Sequence, residues 1–223
     1  MREFLINLCY AAPAVIIALT LHEYAHAQVA YWLGDRKIDK RGRLTLNPIR
    51  HLDPIGSICF LFFGFGWAKP VPVQPERFKR PRLGLALTSI AGPLMNIILA
   101  FLGAFFYVLA IKVHLNTPVE SFASTLVIAC GRFCKVFCIL NLNFALFNIL
   151  PIPPLDGSKD LYPFLPQKAI EKIEKYMLFI LIALFAILFI DSRFLGGNIT
   201  YGFSFLSNKI FEGFITPFVH IFL

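Results

Sequence analysis

The sequence predicts an all-α polytopic membrane protein: about four to five transmembrane helices, with a short re-entrant or β-hairpin element between the first two. Three observations lead there. Of 223 residues, 57% are hydrophobic and 25 are Phe, against about 45–50% apolar in ordinary soluble domains. Several apolar runs reach the roughly 20 residues that a helix needs to cross a bilayer core of about 30 Å. The formal charge of +8 is gathered in two loops, which fits the positive-inside rule and not a nucleic-acid partner.

The first span covers about 4–33 and stops at Gly34-Asp35-Arg36-Lys37. Only Arg2 precedes it as a weak basic start, and the apolar run continues past any small-residue cleavage site. It therefore reads as a retained helix, not a signal peptide. The loop at 34–82 carries eleven Lys or Arg (36, 37, 40, 41, 43, 50, 69, 77, 79, 80, 82). Within it, Ile55 to Trp67 is apolar but only 13 residues long, and Gly56, Gly64 and Gly66 lower its helical propensity. This is the expected re-entrant or hairpin element, tolerated at membrane depth only when packed on protein or beside a wet cavity.

Spans at about 83–111 and 121–150 follow, joined by a turn with only Lys112 near a span end. A second basic loop, 151–175, holds Lys159, Lys168, Lys172 and Lys175. Apolar stretches at 176–190 and 199–223 close the chain, the last interrupted by polar residues and Pro217. This charge alternation puts both basic loops in the cytoplasm and the N-terminus outside. The organisation is one integral membrane domain over 1–223, with a core of about 4–160 and accessory helices over about 170–223. All five cysteines sit in apolar runs, against a secreted disulfide framework. The Cys130, Cys134, Cys138 stripe reads as helix packing.

His22-Glu23-Tyr24-Ala25-His26 lies inside the first span. Residues four apart share a helix face, so the two imidazoles can grip one metal with Glu23 beside it. Each ionisable side chain at membrane depth costs about 3 kcal/mol on insertion scales. Three on one turn need a role, the plainer alternative being a polar patch that bonds a neighbouring helix. Two His leave a catalytic zinc short of its usual three protein ligands. Asp156 is the best candidate for the third. Pro151, Pro153 and Pro154 precede it and cannot continue a helix, although an ordinary turn at a helix end has the same composition. Topology favours the ligand: His26 lies about 10 Å before the end of its span at 1.5 Å per residue, and Asp156 emerges on that same side.

The ordered pair His22-Glu23-x-x-His26 and Asn148-x-x-Pro151-x-x-x-x-Asp156-Gly157 resembles the site-2 protease family of intramembrane zinc metalloproteases. Ala91-Gly92-Pro93-Leu94-Met95-Asn96 is similar to its Gly-Pro-x-x-Asn element. The stretches Leu46-Asn47-Pro48, His51-x-Asp53-Pro54-Ile55-Gly56 and Phe65-Gly66-Trp67-Ala68-Lys69-Pro70-Val71-Pro72 resemble a compact bacterial branch. The resemblance covers about 20–160. It implies one Zn²⁺ per chain held by His22, His26 and Asp156, with Glu23 as general base. The implied activity is an endopeptidase cutting the transmembrane segment of a membrane protein substrate. Its implied place is the bilayer of a bacterial inner or plasma membrane, with the active site toward the cytoplasm. Zinc would acidify water and polarise the peptide carbonyl, while Glu23 passes the proton to the leaving amine.

Asn148 has two readings, an oxyanion or substrate contact and a cap for carbonyls freed at the helix break. Asn96 is read as a site neighbour, and so is His51, which serves equally well as an interfacial residue bonding its own loop. Both loops are too short for an inserted PDZ domain, and Ser158 stands where many relatives have a second Gly. An exposed strand edge is one way to hold an extended substrate, and the 55–68 element is expected to supply it, supported by Asn148 or the proline-rich segment. The rival reading is a transmembrane zinc or metal transporter built on the same helix, against which stands the lack of a second comparably polar span.

Overall fold

The computed structural model describes residues 2–63, 66–118, 121–194 and 196–222. The chain begins with α1 (Arg2–Leu33), whose buried positions are largely small: Ala14, Ala18, Ala25, Ala27 and Ala30. Between lipid-facing helices there is little hydrophobic driving force, so association rests on the close approach that small residues permit. The same composition recurs on α4 (Pro81–Leu115), which buries Gly84, Ala91, Gly92, Ala100, Gly103 and Ala104. On α5 (Phe122–Ile149) the buried set includes Ser124, Gly131, Cys138 and Ala145. These two helices make the most extensive contact in the molecule, and α1 lies on both. Large apolar side chains such as Ile90, Leu94, Phe101 and Phe106 point outward.

Shorter elements join the spans: α2 (Lys37–Lys40) and α3 (Pro54–Phe63) between α1 and α4, and α6 (Asp156–Lys159) after α5. The chain ends with α7 (Gln167–Phe194) and α8 (Asn198–Phe222). Four of the described helices, α1, α4, α5 and α7, are long and apolar enough to cross a membrane. The all-α fold expected from the sequence is borne out, and the chain is an integral membrane protein. The last expected span forms α8, whose Phe211 packs among Ala100, Ala104, Cys138 and Leu142. The Asp191 carboxylate caps α8, accepting from Ile199 N at 3.0 Å and Thr200 N at 3.1 Å.

Of the two forms expected between the first two spans, a re-entrant element or a β-hairpin, no hairpin is seen among the described residues. Residues 54–63 are helical, and among the described residues there is no strand, only an isolated bridge between Leu52 and Ala68. The reason is local. Asp53 caps the helix, its carboxylate accepting from Gly56 N at 2.9 Å, and Pro54 takes the first position, where its missing N–H costs nothing.

After α3 the chain returns toward α1 as an irregular segment whose polar groups are pinned from several sides. Arg43, itself buried, donates to the carbonyls of Arg50, Lys69 and Pro70. Arg41 donates to Pro72 O at 2.5 Å. Fully buried Asp35, just past the end of α1, accepts from Gln74 N at 3.1 Å and pairs with Arg77 at 3.5 Å and Arg41 at 3.9 Å. Replacing Asp35 by Ala strands a backbone N–H and removes the shared anion. A loss of about 1–3 kcal/mol is expected, read as a lowered thermal unfolding midpoint of the detergent-solubilised protein.

Candidate metal centre

The site is assembled where α1, α4 and α6 meet. His22 and His26 lie one turn apart on the buried face of α1, and α4 crosses that face with Thr88, Gly92 and Asn96 at intervals of four. His26 Nδ1 lies 2.6 Å from Thr88 O, a group that can only accept, so this nitrogen carries the proton. His22 Nδ1 lies 2.5 Å from Asn96 Oδ1. With Nδ1 of each ring committed in this way, the Nε2 lone pairs face each other at 3.1 Å.

Asp156 completes the triangle. Its Oδ2 is 3.0 Å from each Nε2, brought there by the proline-broken exit from α5 and the short turn of α6. Gly157 makes that turn possible, because a Cβ there would meet Ile149 O at 2.2 Å. Ser89 on α4 fastens the far side of the turn, donating to Asp160 Oδ1 at 2.5 Å. The second carboxylate oxygen, Asp156 Oδ1, accepts from Lys159 Nζ at 2.8 Å. Burial works against the Lys159 charge, yet the Asp156 carboxylate, and beyond it Glu23, hold its ammonium above the ordinary lysine value.

Three potential ligand atoms thus converge about 3 Å from one another, which is the donor set of a cation site. A tetrahedral zinc with bonds of about 2.0–2.1 Å sets its donor atoms roughly 3.3 Å apart, close to the triangle seen here. Gly92 supplies the room: a Cβ there would fall 2.4 Å from His26 Nε2 and 2.6 Å from His22 Nε2. Among the described residues, His22, His26 and Asp156 are the group of His, Cys, Asp or Glu that could hold a metal ion.

Glu23 is buried beside them, and its Oε2 accepts from Val71 N at 3.1 Å in the pinned return segment. Site and segment open onto a cavity of about 960 Å³. Leu178, Leu181, Phe185 and Leu188 of α7 line it as a helical stripe, opposite Phe144, Phe147 and Asn148 of α5. The Trp67 and Phe185 rings meet across it at 6.0 Å between centroids.

A match to Peptidase family M50 spans residues 10–188. This chain belongs to peptidase family M50. The chain is similar to "Putative zinc metalloprotease YwhC" of Bacillus subtilis (strain 168), with 44% identity over 179 residues, 79% of this chain and 80% of that protein. It is similar also to "Putative zinc metalloprotease Rip2" of Mycobacterium tuberculosis (strain ATCC 25618 / H37Rv), with 31% identity over 188 residues, 81% of this chain and 68% of that protein. No solved structure matches it. M50 membership bears out the site-2 protease resemblance and makes the chain a metalloprotease.

The other residues singled out in the M50 motifs take different places. Asn148 lines the cavity, but its Nδ2 donates to Phe144 O at 3.0 Å, one turn back on its own helix. Asn96 is fully buried and touches His22 directly. His51 is fully buried in the loop, with Nε2 2.7 Å from Thr45 O and its own carbonyl accepting from Lys69 N. Burial, joined by the charge of Arg43 and opposed by the Thr45 bond, holds its imidazole below the ordinary histidine value. It is a loop fastener and does not reach the cavity lining.

Sequence reasoning passed over Thr88, Val71, Lys159 and Asn141. Thr88 and Val71 act through backbone atoms, which no side-chain pattern reveals. Lys159 was legible as an i, i+3 partner of Asp156. Asn141 was legible as a polar residue in an otherwise apolar span. Gly92→Ala puts a methyl group into the space between the imidazoles. The purified variant is expected to lose at least tenfold in zinc content by elemental analysis, while a Gly→Ala change at exposed Gly202, where a Cβ meets nothing within 4 Å, leaves zinc content unchanged.

Proposed function

We propose that the chain is an intramembrane zinc endopeptidase, hydrolysing a peptide bond within the transmembrane segment of another membrane protein. The observation that carries this reading is the convergence of His22 Nε2, His26 Nε2 and Asp156 Oδ2 beside Glu23. The cavity they face is walled by helices apolar enough to lie in a bilayer. The three residues would hold one Zn²⁺ per chain. When bound, the ion lowers the pKa of water toward about 7 and polarises the scissile carbonyl.

Glu23 is the general base and then the general acid. Val71 N–H holds Oε2, which leaves Oε1 to take a proton from the attacking water and return it to the leaving amine nitrogen. Lys159 donates to Asp156 Oδ1 and so leaves Oδ2 to face the imidazoles. Asn148 Nδ2 would serve the developing oxyanion only by leaving Phe144 O, so its capping role is the resting one. The apolar stripe of α7 and the phenyl rings of α5 suit the side chains of a membrane segment, and the site depth, about 10 Å from the end of α1, suits a bond near the cytoplasmic face. The basic loops on that side support this orientation. A strand edge for the unwound substrate is not offered by residues 54–63, which are helical.

The transporter reading is not favoured, because M50 is a peptidase family. Glu23→Gln is expected to retain zinc at the wild-type ratio while cleavage falls by about 10²–10⁴-fold, the usual contribution of general acid–base work. The readout is the set of membrane proteins that accumulate in cells carrying the variant, paired with zinc analysis of the purified protein. Undiminished turnover by Glu23→Gln overturns the assignment. Zinc uptake into proteoliposomes that depends on His22 and His26 would instead support the carrier.

A further inference from the structure

We infer that Asn141 and Asn96 form a directional amide relay that sets the tautomer of His22, and that both are positioning residues for the metal. The inference rests on the metal-site reading above. The relay crosses three helices. Asn141 Nδ2 on α5 donates to Phe137 O at 2.8 Å. Asn96 Nδ2 on α4 donates to Asn141 Oδ1 at 2.8 Å. His22 Nδ1 on α1 then meets Asn96 Oδ1 at 2.5 Å.

An amide taken alone can face either way, since its two ends differ only in whether they donate or accept. Here the far end decides. Phe137 O is a backbone carbonyl and can only accept, so Asn141 must turn its NH₂ toward it and its oxygen toward Asn96. Asn96 must then turn its NH₂ toward Asn141 and its oxygen toward His22. That oxygen takes a proton, so a neutral His22 carries its hydrogen on Nδ1 and presents the Nε2 lone pair to the site. Reversing either amide would set two oxygens or two NH₂ groups against each other where both side chains are fully buried. Each such mismatch leaves buried polar groups unpaired, at about 1–3 kcal/mol apiece.

The two imidazoles are therefore oriented by different means. His26 rests directly on a carbonyl, Thr88 O, and needs no intermediary. His22 lies deeper along α1, opposite a stretch of α4 where a side chain takes the place of a carbonyl. An asparagine there has no intrinsic direction, and Asn141 supplies one.

Zinc affinity of the purified full-length protein in detergent, measured by competition with a chromophoric chelator, tests this without any substrate. Asn96→Leu is expected to weaken zinc binding about 10–100-fold, the usual effect of losing the partner of a metal-bound histidine. Asn96→Asp keeps an acceptor for His22 Nδ1–H and is expected to stay much nearer wild type than Asn96→Leu. Asn141→Leu is expected to weaken binding, but to have no further effect in the Asn96→Leu background, because it acts only through Asn96. The d–d spectrum of the Co²⁺-substituted protein reads the same centre and is expected to change in Asn96→Leu while Asn96→Asp keeps the wild-type bands.

Wild-type affinity in Asn96→Leu, or equal losses from Asn141→Leu in both backgrounds, overturns the relay. If Asn96→Leu fails to fold, Asn141→Leu and Asn96→Asp still decide: Asn141→Leu at wild-type affinity also overturns it. A parent protein that binds no zinc overturns the metal reading instead, an outcome separate from any of these.

Discussion

The close approach of α4 to the histidine face of α1 is the constraint on which the site depends. At Gly92 there is no side chain, and the space that a methyl group would occupy is where the two Nε2 atoms turn. One turn to either side, Thr88 O and Asn96 Oδ1 take the Nδ1 protons. The small residues along both helices bring the backbones near enough for all three contacts at once. A methyl group at Gly92 would fall within 2.6 Å of both Nε2 atoms.

The third corner of the triangle comes from a different kind of order. Helical periodicity ends at Ile149, and prolines prevent its resumption until Asp156 opens a four-residue turn. Such a segment would wander if it were free. It is held by the fit of Gly157 against the last carbonyls of α5, by the Ser89–Asp160 bond to α4, and by Lys159 on the outer oxygen of Asp156. Rigid spans supply two donors and a braced loop supplies the third, so the centre joins parts of the chain more than a hundred residues apart.

Much of this was legible in the residues themselves. The His22–His26 spacing needs only helical geometry to become a pair of donors, and the three prolines announce that the chain must leave its helix just before Asp156. The lengths of the apolar runs and the two clusters of positive charge were sufficient to establish a membrane protein. The helix at residues 54–63 was legible at its start, where Asp53-Pro54 is a cap followed by a first-turn proline, but the short length of the run and its glycines left a hairpin open as well. What could not be read were contacts made by main-chain atoms. Val71 N–H on Glu23 and Thr88 O on His26 carry no residue signature, because any amino acid but proline could donate at 71 and any at all could accept at 88.

The return segment has one more consequence. Among the described residues it is the irregular stretch of backbone bonded to Glu23, so it is this protein's own polypeptide that lies beside its own hydrolytic chemistry. Its backbone polar groups are already engaged. The bonds leading into Pro70 and Pro72 are tertiary amides without a hydrogen. The carbonyls of Lys69 and Pro70 are occupied by Arg43, that of Pro72 by Arg41, and that of Val71 by Val73 N–H. Every carbonyl from 69 to 72 is engaged by an internal donor, so the chain's own bonds hold this segment in place beside Glu23.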